Sequence, residues 1–130
     1  MLRRGDGTRC TGAWEVVHGR IEPDERPEDA AVREVGEETG MAVDRLYNVT
    51  CQPFYLHHLS TVHVAVVFVA FVGSGVEVRL GPEHDSAEWL TPDEAMARLS
   101  WPRSISALRE VVHVLHTGDA GPVEDVLRVI

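Results

Sequence analysis

Apolar runs separated by turn-forming residues divide the chain into its elements. The longest run, residues 62–72, is rich in β-branched and aromatic side chains, which predicts a central strand buried on both faces. The alternation of apolar and polar positions over residues 76–80 predicts a half-buried strand. Shorter runs predict four further strands, at residues 14–17, 46–51, 54–58 and 87–90.

Helices are predicted in three places by the 3.6-residue period and by capping signals. Residues 27–39 have an apolar side and an acidic side, with proline at the first position and glycine directly after the last. Residues 91–99 begin with a capping box, and residues 105–115 carry an apolar stripe. The tail at 123–130 is apolar but ambiguous. This mixture of elements predicts an α/β fold, with residues 1–130 forming a single domain.

Three carboxylates, Glu34, Glu37 and Glu38, lie within five positions of the helix predicted at 27–39. Like charges at this spacing repel by a few tenths of a kcal/mol per pair, so the cluster brings no structural benefit. Hard divalent cations such as Mg²⁺ prefer oxygen ligands. The loop before the helix can also approach the helix N-terminus, where backbone N–H groups donate hydrogen bonds to phosphate. The cluster therefore indicates a site for a metal ion and phosphate groups.

The residues around this cluster resemble the Nudix box. The pattern is Gly19, five residues, Glu25, seven residues, and then Arg33-Glu34-Val35-Gly36-Glu37-Glu38-Thr39-Gly40-Met41, and it matches every fixed position of that motif. The resemblance covers almost the whole chain. It implies the Nudix-type α/β/α sandwich around a mixed β-sheet.

A narrower resemblance is to the branch containing dihydroneopterin triphosphate and deoxynucleoside triphosphate pyrophosphatases. It is carried by the segment Trp14–Gly19 and by Glu83-His84 ahead of Trp89-Leu90. Val17 and His18 replace the proline and glycine common before the box in many members, and Arg26 replaces a helix-capping serine or threonine.

The resemblance implies metal ions, Mg²⁺ or Mn²⁺, bound by Glu34, Glu37 and Glu38, with Gly19 presenting a carbonyl. It also implies that Arg33 pairs with Glu25 or Glu37 and fixes the loop on the helix. Gly19, Glu25 and Gly40 are then structural positions of the motif.

A further carboxylate outside the box often completes such sites. Glu83 is the candidate here, as a metal ligand or general base, and Asp85 and Glu88 are the local alternatives. The candidates for phosphate or heterocycle binding are His18, Phe54, Tyr55, Trp101 and Arg103.

The implied function is metal-dependent hydrolysis of a phosphoanhydride bond in a nucleoside or pterin triphosphate, releasing pyrophosphate. The substrate is then a small molecule built like a nucleoside diphosphate. Dinucleoside polyphosphates and nucleotide sugars remain open as substrates. Two other classes are a non-hydrolytic Nudix ligand sensor, which would usually lose box carboxylates, and an isoprenyl diphosphate isomerase. The isomerase would need Cys10 or Cys51 in the pocket.

Net charge, the length of the apolar runs and the two cysteines limit the classes of partner and the cellular compartment. The formal net charge of −9 argues against nucleic acid as a partner, because nucleic-acid-binding proteins usually carry a basic face. No apolar run is long enough to span a bilayer, which argues against a membrane protein. Cys10 and Cys51 lack metal-ligand spacing, and two reduced thiols in the cytoplasm are expected rather than a disulfide.

Only 13 residues precede Trp14. By resemblance, the first strand of the fold is therefore expected to be truncated, or the true start to lie upstream of Met1. A truncated strand would leave an open sheet edge, which could pair with a second copy to form a homodimer.

Overall fold

The computed structural model describes residues 1–130, which form five strands and four helices, with one 3₁₀ turn. The strands are β1 (Leu2–Arg4), β2 (Trp14–Glu15), β3 (Val43–Leu56), β4 (Thr61–Val72) and β5 (His84–Ala87). The helices are α1 (Pro27–Thr39), α2 (Pro92–Arg98), α3 (Pro102–Leu115) and the single turn α4 (Glu124–Leu127), which follows the 3₁₀ turn Gly121–Val123. The mixed α/β character predicted from the sequence is confirmed.

Helix α1 spans the residues predicted from its capping signals. Pro27 occupies the first turn, and Arg26 precedes it in an extended conformation without a side-chain cap. Gly40 ends the helix in the left-handed region at φ 70°, and its N–H donates to the carbonyl of Gly36 at 2.9 Å. This conformation costs glycine nothing, whereas a side chain would strain it.

The strands pair in two separate antiparallel sheets and not in one mixed sheet. β1 is the centre of a three-stranded sheet in the order β2-β1-β5, and β3 pairs with β4 in a hairpin. Chain connectivity explains the hairpin, because the short turn at residues 57–60 returns the chain antiparallel to itself. β1 has a partner on both sides, so its edges are not open.

Two strand predictions in the hairpin are wrong. The strands predicted at 46–51 and 54–58 are one strand, β3, which pairs with β4 along its length. Pro53 is tolerated inside it because β3 has only one partner strand. β4 is not a central strand buried on both faces. It also pairs only with β3, and Val62 and Val64 are 71% and 61% exposed.

The strand predicted at 76–80 is absent, and the one predicted at 87–90 lies earlier. The backbone N–H groups of Arg79 and Gly81 donate to the carbonyls of Thr39 and Glu38, at 2.8 and 3.1 Å. The segment therefore satisfies carbonyls at the end of α1 and does not form a sheet ladder. β5 begins at His84 because its ladder is with β1. These contacts hold the loop from residue 79 to residue 83 against the C-terminal turn of α1.

The C-terminal helices agree with the prediction. Thr91 and Glu94 form the reciprocal capping box of α2, and α3 covers the apolar stripe predicted at 105–115. The ambiguous tail packs on β3, where the fully buried Tyr47 donates its hydroxyl hydrogen bond to Glu124 at 2.8 Å. None of the helices combines the length and apolar character needed to cross a lipid bilayer.

A cavity of about 440 Å³ lies among α1, β4 and the helices α2 and α3. Most of its lining is apolar, with consecutive residues of β4 along one wall. The polar residues of the lining are His18, Thr39, Gln52, Glu88, Arg103 and Ser104. The cavity therefore joins the apolar interior to the loop that precedes α1.

Candidate active site

The loop before α1 rests on the first carboxylate of the acidic cluster. A Cβ atom added at Gly19 would lie 1.8 Å from Cδ of Glu34 and 2.0 Å from its Oε1. No side chain fits there unless the loop or the glutamate moves. The predicted structural role of Gly19 thus has a concrete basis, which is close approach of the loop backbone to a carboxylate.

Arg33 links that loop to the helix through four acceptor groups. Its Nε and Nη2 atoms donate to the two carboxylate oxygens of Glu25, at 2.8 and 2.9 Å. Its Nη1 atom donates to Glu34 at 2.7 Å and to Glu37 at 3.3 Å, and Nη2 also donates to the carbonyl of Arg20 at 2.9 Å. The hydrogen bonds from Arg33 lower the pKa of Glu25 to about 2. The predicted pairing of Arg33 with Glu25 or Glu37 is confirmed, and it involves both.

Replacing Arg33 with lysine should loosen the loop while keeping the charge. Lysine cannot reproduce the two-pronged contact with Glu25 or hold Glu34 at the same time. We expect R33K to lower turnover by about tenfold or more, equivalent to about 1.4 kcal/mol of transition-state stabilisation. Steady-state kinetics would measure it. R26K is the matched control, because Arg26 pairs only with Glu28 at the surface. Equal activity of R33K and R26K would contradict the prediction.

Glu38 is the most perturbed carboxyl group of the protein. Burial, followed by repulsion from Glu34, raises its pKa to about 8, and the backbone of His18 offsets part of this. Glu15 and Glu83 add smaller repulsive contributions. The Oε2 atom of Glu38 is buried and has no hydrogen-bond partner. A carboxylate kept from water without a partner is costly, and such groups are characteristic of functional sites.

The donor set fits a hard divalent cation. Glu34 and Glu38 offer carboxylate oxygens next to the backbone of Gly19, and one oxygen of Glu38 has no other partner. The side chains do not converge into a ready-made group of three acidic, His or Cys donors. The carboxylates of Glu34 and Glu37 instead form ion pairs with Arg33. Binding a cation would require Glu34 to share or exchange that contact.

Glu83 lies close to this site, whereas its two sequence alternatives point elsewhere. Its carboxylate accepts a hydrogen bond from Nη2 of Arg4 at 3.1 Å, and its side chain is 61% exposed. Asp85 pairs with Arg3, and Glu88 pairs with Arg98. Glu83 is therefore the candidate that the fold brings towards Glu38.

Three of the residues predicted to bind the substrate form a row at the start of α3. The guanidinium carbon of Arg103 lies 4.6 Å from the ring centroid of Phe54 and 5.1 Å from that of Trp101. Tyr55 is separated from them, because successive side chains of a strand point to opposite faces, and it is 62% exposed. His18 lines the cavity, with Nδ1 hydrogen-bonded to the carbonyl of Val16 at 2.8 Å.

Two residues of this region, Glu15 and Gly81, were not predicted from the sequence. Glu15 is buried and accepts hydrogen bonds from Arg4 and Trp101. Burial raises the pKa of Glu15, but hydrogen bonds from Arg4 and His84 outweigh it and the net shift is downward. Gly81 lets its loop approach α1, since a Cβ atom there would lie 3.0 Å from the carbonyl oxygen of Glu37. The available signal for Glu15 was a charged residue inside an apolar strand pattern.

Both cysteines are free and exposed, and neither lines the cavity. An isomerase that needs a pocket cysteine therefore has no candidate residue here.

Comparisons with known proteins agree with the motif. The model of the NUDIX domain matches residues 1–111. A MutT-like protein of Streptomyces ambofaciens is 40% identical over 101 residues, which are 76% of this chain and 58% of that protein. A protein of Myxococcus xanthus named octanoyltransferase is 36% identical over 103 residues, covering 78% of this chain and 28% of that protein. The chain thus spans less than two thirds of the length of these relatives.

The fold is shared with solved structures of the same kind. The crystal structure of the MutT protein from Methanosarcina mazei superimposes with a TM-score of 0.73 at 24% identity, covering 86% of this chain and 80% of that one. The predicted Nudix-type α/β fold is therefore confirmed. With a domain match over most of its length and the complete box in the loop before α1, in α1 and directly after it, the chain belongs to the Nudix family.

Proposed function

We propose that the protein is a metal-dependent hydrolase that cleaves a phosphoanhydride bond of a nucleoside or pterin triphosphate and releases pyrophosphate. The observation that carries this proposal is the buried, unpartnered carboxylate oxygen of Glu38, next to Glu34 and the backbone of Gly19. Such an arrangement is unfavourable alone and becomes favourable with a divalent cation and its polyphosphate. Residues 1–130 act as one Nudix domain in this proposal, in the cytoplasm, where exposed thiols stay reduced.

In the proposed mechanism Glu34 and Glu38 hold the cation, with Glu37 at the solvent side and Gly19 offering its carbonyl. A bound Mg²⁺ or Mn²⁺ would neutralise phosphate charge and lower the pKa of a bound water. Glu83 accepts the proton of the attacking water, within reach of the positive charge of Arg4. Arg33 acts indirectly, because its hydrogen bonds to Glu25 and Glu34 fix the loop relative to the Glu34 carboxylate.

The row of Phe54, Arg103 and Trp101 is the proposed heterocycle site. Flat aromatic and guanidinium groups stack on nucleobases, and such stacking is tolerant of base identity. His18, whose backbone hydrogen-bonds to Glu38 and which lines the same cavity as Arg103, is the proposed phosphate-binding residue. Tyr55 is left out of the site because it faces away from Phe54.

Small molecules, and not nucleic acid or a membrane, are the proposed partners, because the net charge is −9 and polyphosphate binding would depend on bound cations. Dinucleoside polyphosphates and nucleotide sugars are the alternative substrates. A sensor without hydrolytic activity is disfavoured by the complete set of box glutamates. A homodimer remains a proposal, to be tested by solution mass.

The product of the reaction tests this function. With Mg²⁺ or Mn²⁺, a nucleoside or pterin triphosphate should give the monophosphate and pyrophosphate in equal amounts. A screen should also include dinucleoside polyphosphates, nucleotide sugars and a short RNA with a 5′-triphosphate, each without metal as control. Hydrolysis in isotopically labelled water identifies the phosphorus attacked. Single phosphate as the primary product, or no hydrolysis of any compound, would contradict the proposal.

A further inference from the structure

Glu15, which has no role in the mechanism proposed above, is the centre of a buried polar cluster. It is the last residue of β2, and only 4% of its surface is exposed. Its Oε1 atom accepts a hydrogen bond from Nη1 of Arg4 at 2.9 Å and lies 3.2 Å from Nε2 of His84. Its Oε2 atom accepts one from Nε1 of Trp101 at 3.2 Å. Burying a charge costs several kcal/mol before compensation, so a carboxylate held by three side chains from different segments calls for a reason.

One arm of the cluster leads to Glu83. Arg4 contacts Glu15 through Nη1 and Glu83 through Nη2, at 2.9 and 3.1 Å. The guanidinium group is planar and rigid, so fixing one nitrogen fixes the direction of the other. Glu83 is mostly exposed and has no other side-chain partner, whereas Glu15 is anchored in the interior. Glu15, together with the carbonyl of Arg9 that accepts from Nε of Arg4 at 2.5 Å, therefore sets the direction in which Arg4 holds Glu83.

The other arm leads to the heterocycle row. The hydrogen bond from the indole N–H of Trp101 to Glu15 fixes the rotation of the ring. The same ring packs against Arg103, 5.1 Å from ring centroid to guanidinium carbon. A ring free to rotate would present no constant face to a base. Glu15 thus determines the orientation of the aromatic group at one end of the site.

His84 completes the cluster and serves Glu15 alone. Its side chain is 1% exposed, Nε2 faces Glu15, and Nδ1 is buried without any partner. A buried imidazole that leaves one nitrogen unpaired gains little for stability. The only side-chain contact of its ring nitrogens is with Glu15, and this contact helps to orient the Glu15 carboxylate.

We propose that Glu15 is a positioning residue that orients two functional groups at once: Glu83 through Arg4, and the Trp101 ring through its indole N–H. This inference rests on the proposed function. It predicts that the two arms affect different kinetic parameters, kcat for the Arg4 arm and KM for the Trp101 arm. Loss of the Arg4 arm impairs the chemical step, loss of the Trp101 arm impairs substrate binding, and loss of Glu15 impairs both.

Four single variants and one double variant test the assignment. With the best substrate of the screen, R4K should lower kcat about tenfold with KM unchanged, and W101F, which keeps the stacking ring and loses the N–H, should raise KM by several-fold with kcat unchanged. E15Q should lower kcat and raise KM, each by about tenfold, because a charged hydrogen bond is lost. The double variant E15Q/E83Q should have a kcat close to that of E83Q, because Glu15 acts on the chemical step mainly through Glu83 and its repulsion of Glu38 is a smaller contribution.

Controls separate positioning from stability and from failure of the proposed function. D85N removes a surface ion pair on the same two strands and should leave kcat and KM unchanged. In the metal-free protein, the indole N–H resonance of Trp101, assigned with W101F, should move in E15Q and stay in D85N. If the parent is active, either of two results overturns the inference. In the first, E15Q changes only the melting temperature. In the second, the effects of E15Q and E83Q on kcat are additive. If E15Q does not fold, R4K and W101F decide the matter. The inference is overturned if both have the same kcat and the same KM as the parent. A parent inactive on every compound contradicts the proposed function instead.

Discussion

Replacing Glu38 with glutamine should reduce turnover by at least about a hundredfold while the fold persists, because metal-bound groups at such sites contribute several kcal/mol to transition-state stabilisation. The substitution keeps the shape of the side chain and removes its charge. Mg²⁺ or Mn²⁺ should raise the melting temperature of the parent more than that of E38Q. Kinetics and thermal melts with and without metal measure both effects. E77Q is the matched control, because Glu77 is exposed and forms no ion pair.

The pH dependence of the metal-free protein should report the same group. The pKa of Glu38 is raised to about 8 in the folded state, above its ordinary value of 4.5, so the folded protein binds more protons than the unfolded chain between these values. Its contribution to the free energy of unfolding is present below pH 4.5 and is lost as pH rises through 8. Each pKa unit corresponds to about 1.4 kcal/mol. E38Q should therefore lose less stability than the parent over this range. Parallel stability curves, or equal activity of E38Q and E77Q, would contradict the role of Glu38.

Replacing Gly19 with alanine should have the second largest effect, with turnover lowered by about tenfold or more. The added Cβ atom would overlap the carboxylate of Glu34, so either the loop or the glutamate must move away from its working position. Kinetics and metal-dependent melts should show weakened metal response in G19A.

G36A is the matched control within the same motif. A Cβ atom there would come no closer than 4.0 Å to the nearest atom, the carbonyl oxygen of Met41. Alanine in a helix interior is more favourable than glycine by about 1 kcal/mol, so G36A should be more stable and remain active. If G19A were as active as G36A, the close approach at Gly19 would have no functional importance.

Local signals predicted the elements whose limits are set by local chemistry. The proline at the start of α1, the left-handed Gly40 after it and the capping box of α2 all occupy the predicted positions. The strands were predicted less well, because their state depends on distant partners. β4 has the composition of a central strand but only one neighbour. Residues 76–80 alternate like a strand, yet Arg79 hydrogen-bonds to the end of α1.

The residues of the candidate site likewise fall into those predictable from local sequence and those that depend on distant contacts. The box glutamates and Arg33 follow from spacing on one helix, and the contacts of Arg33 with Glu25 and Glu37 follow from the motif. The cluster around Glu15 could not be predicted, because Arg4, His84 and Trp101 come from segments far apart in the chain. Tyr55 and Phe54 were indistinguishable until the register of β3 placed them on opposite faces.

The carboxylates of Glu34 and Glu38 are the proposed ligands of a divalent cation. Titration of the nucleotide-free protein with Mn²⁺, followed by the electron paramagnetic resonance signal of free Mn²⁺ at pH 8.5, tests this assignment most directly. We expect the parent and E77Q to remove free Mn²⁺ from solution. E34Q and E38Q should bind Mn²⁺ at least about tenfold more weakly, since each lacks one charged ligand. Identical Mn²⁺ binding by all four proteins would contradict the assignment.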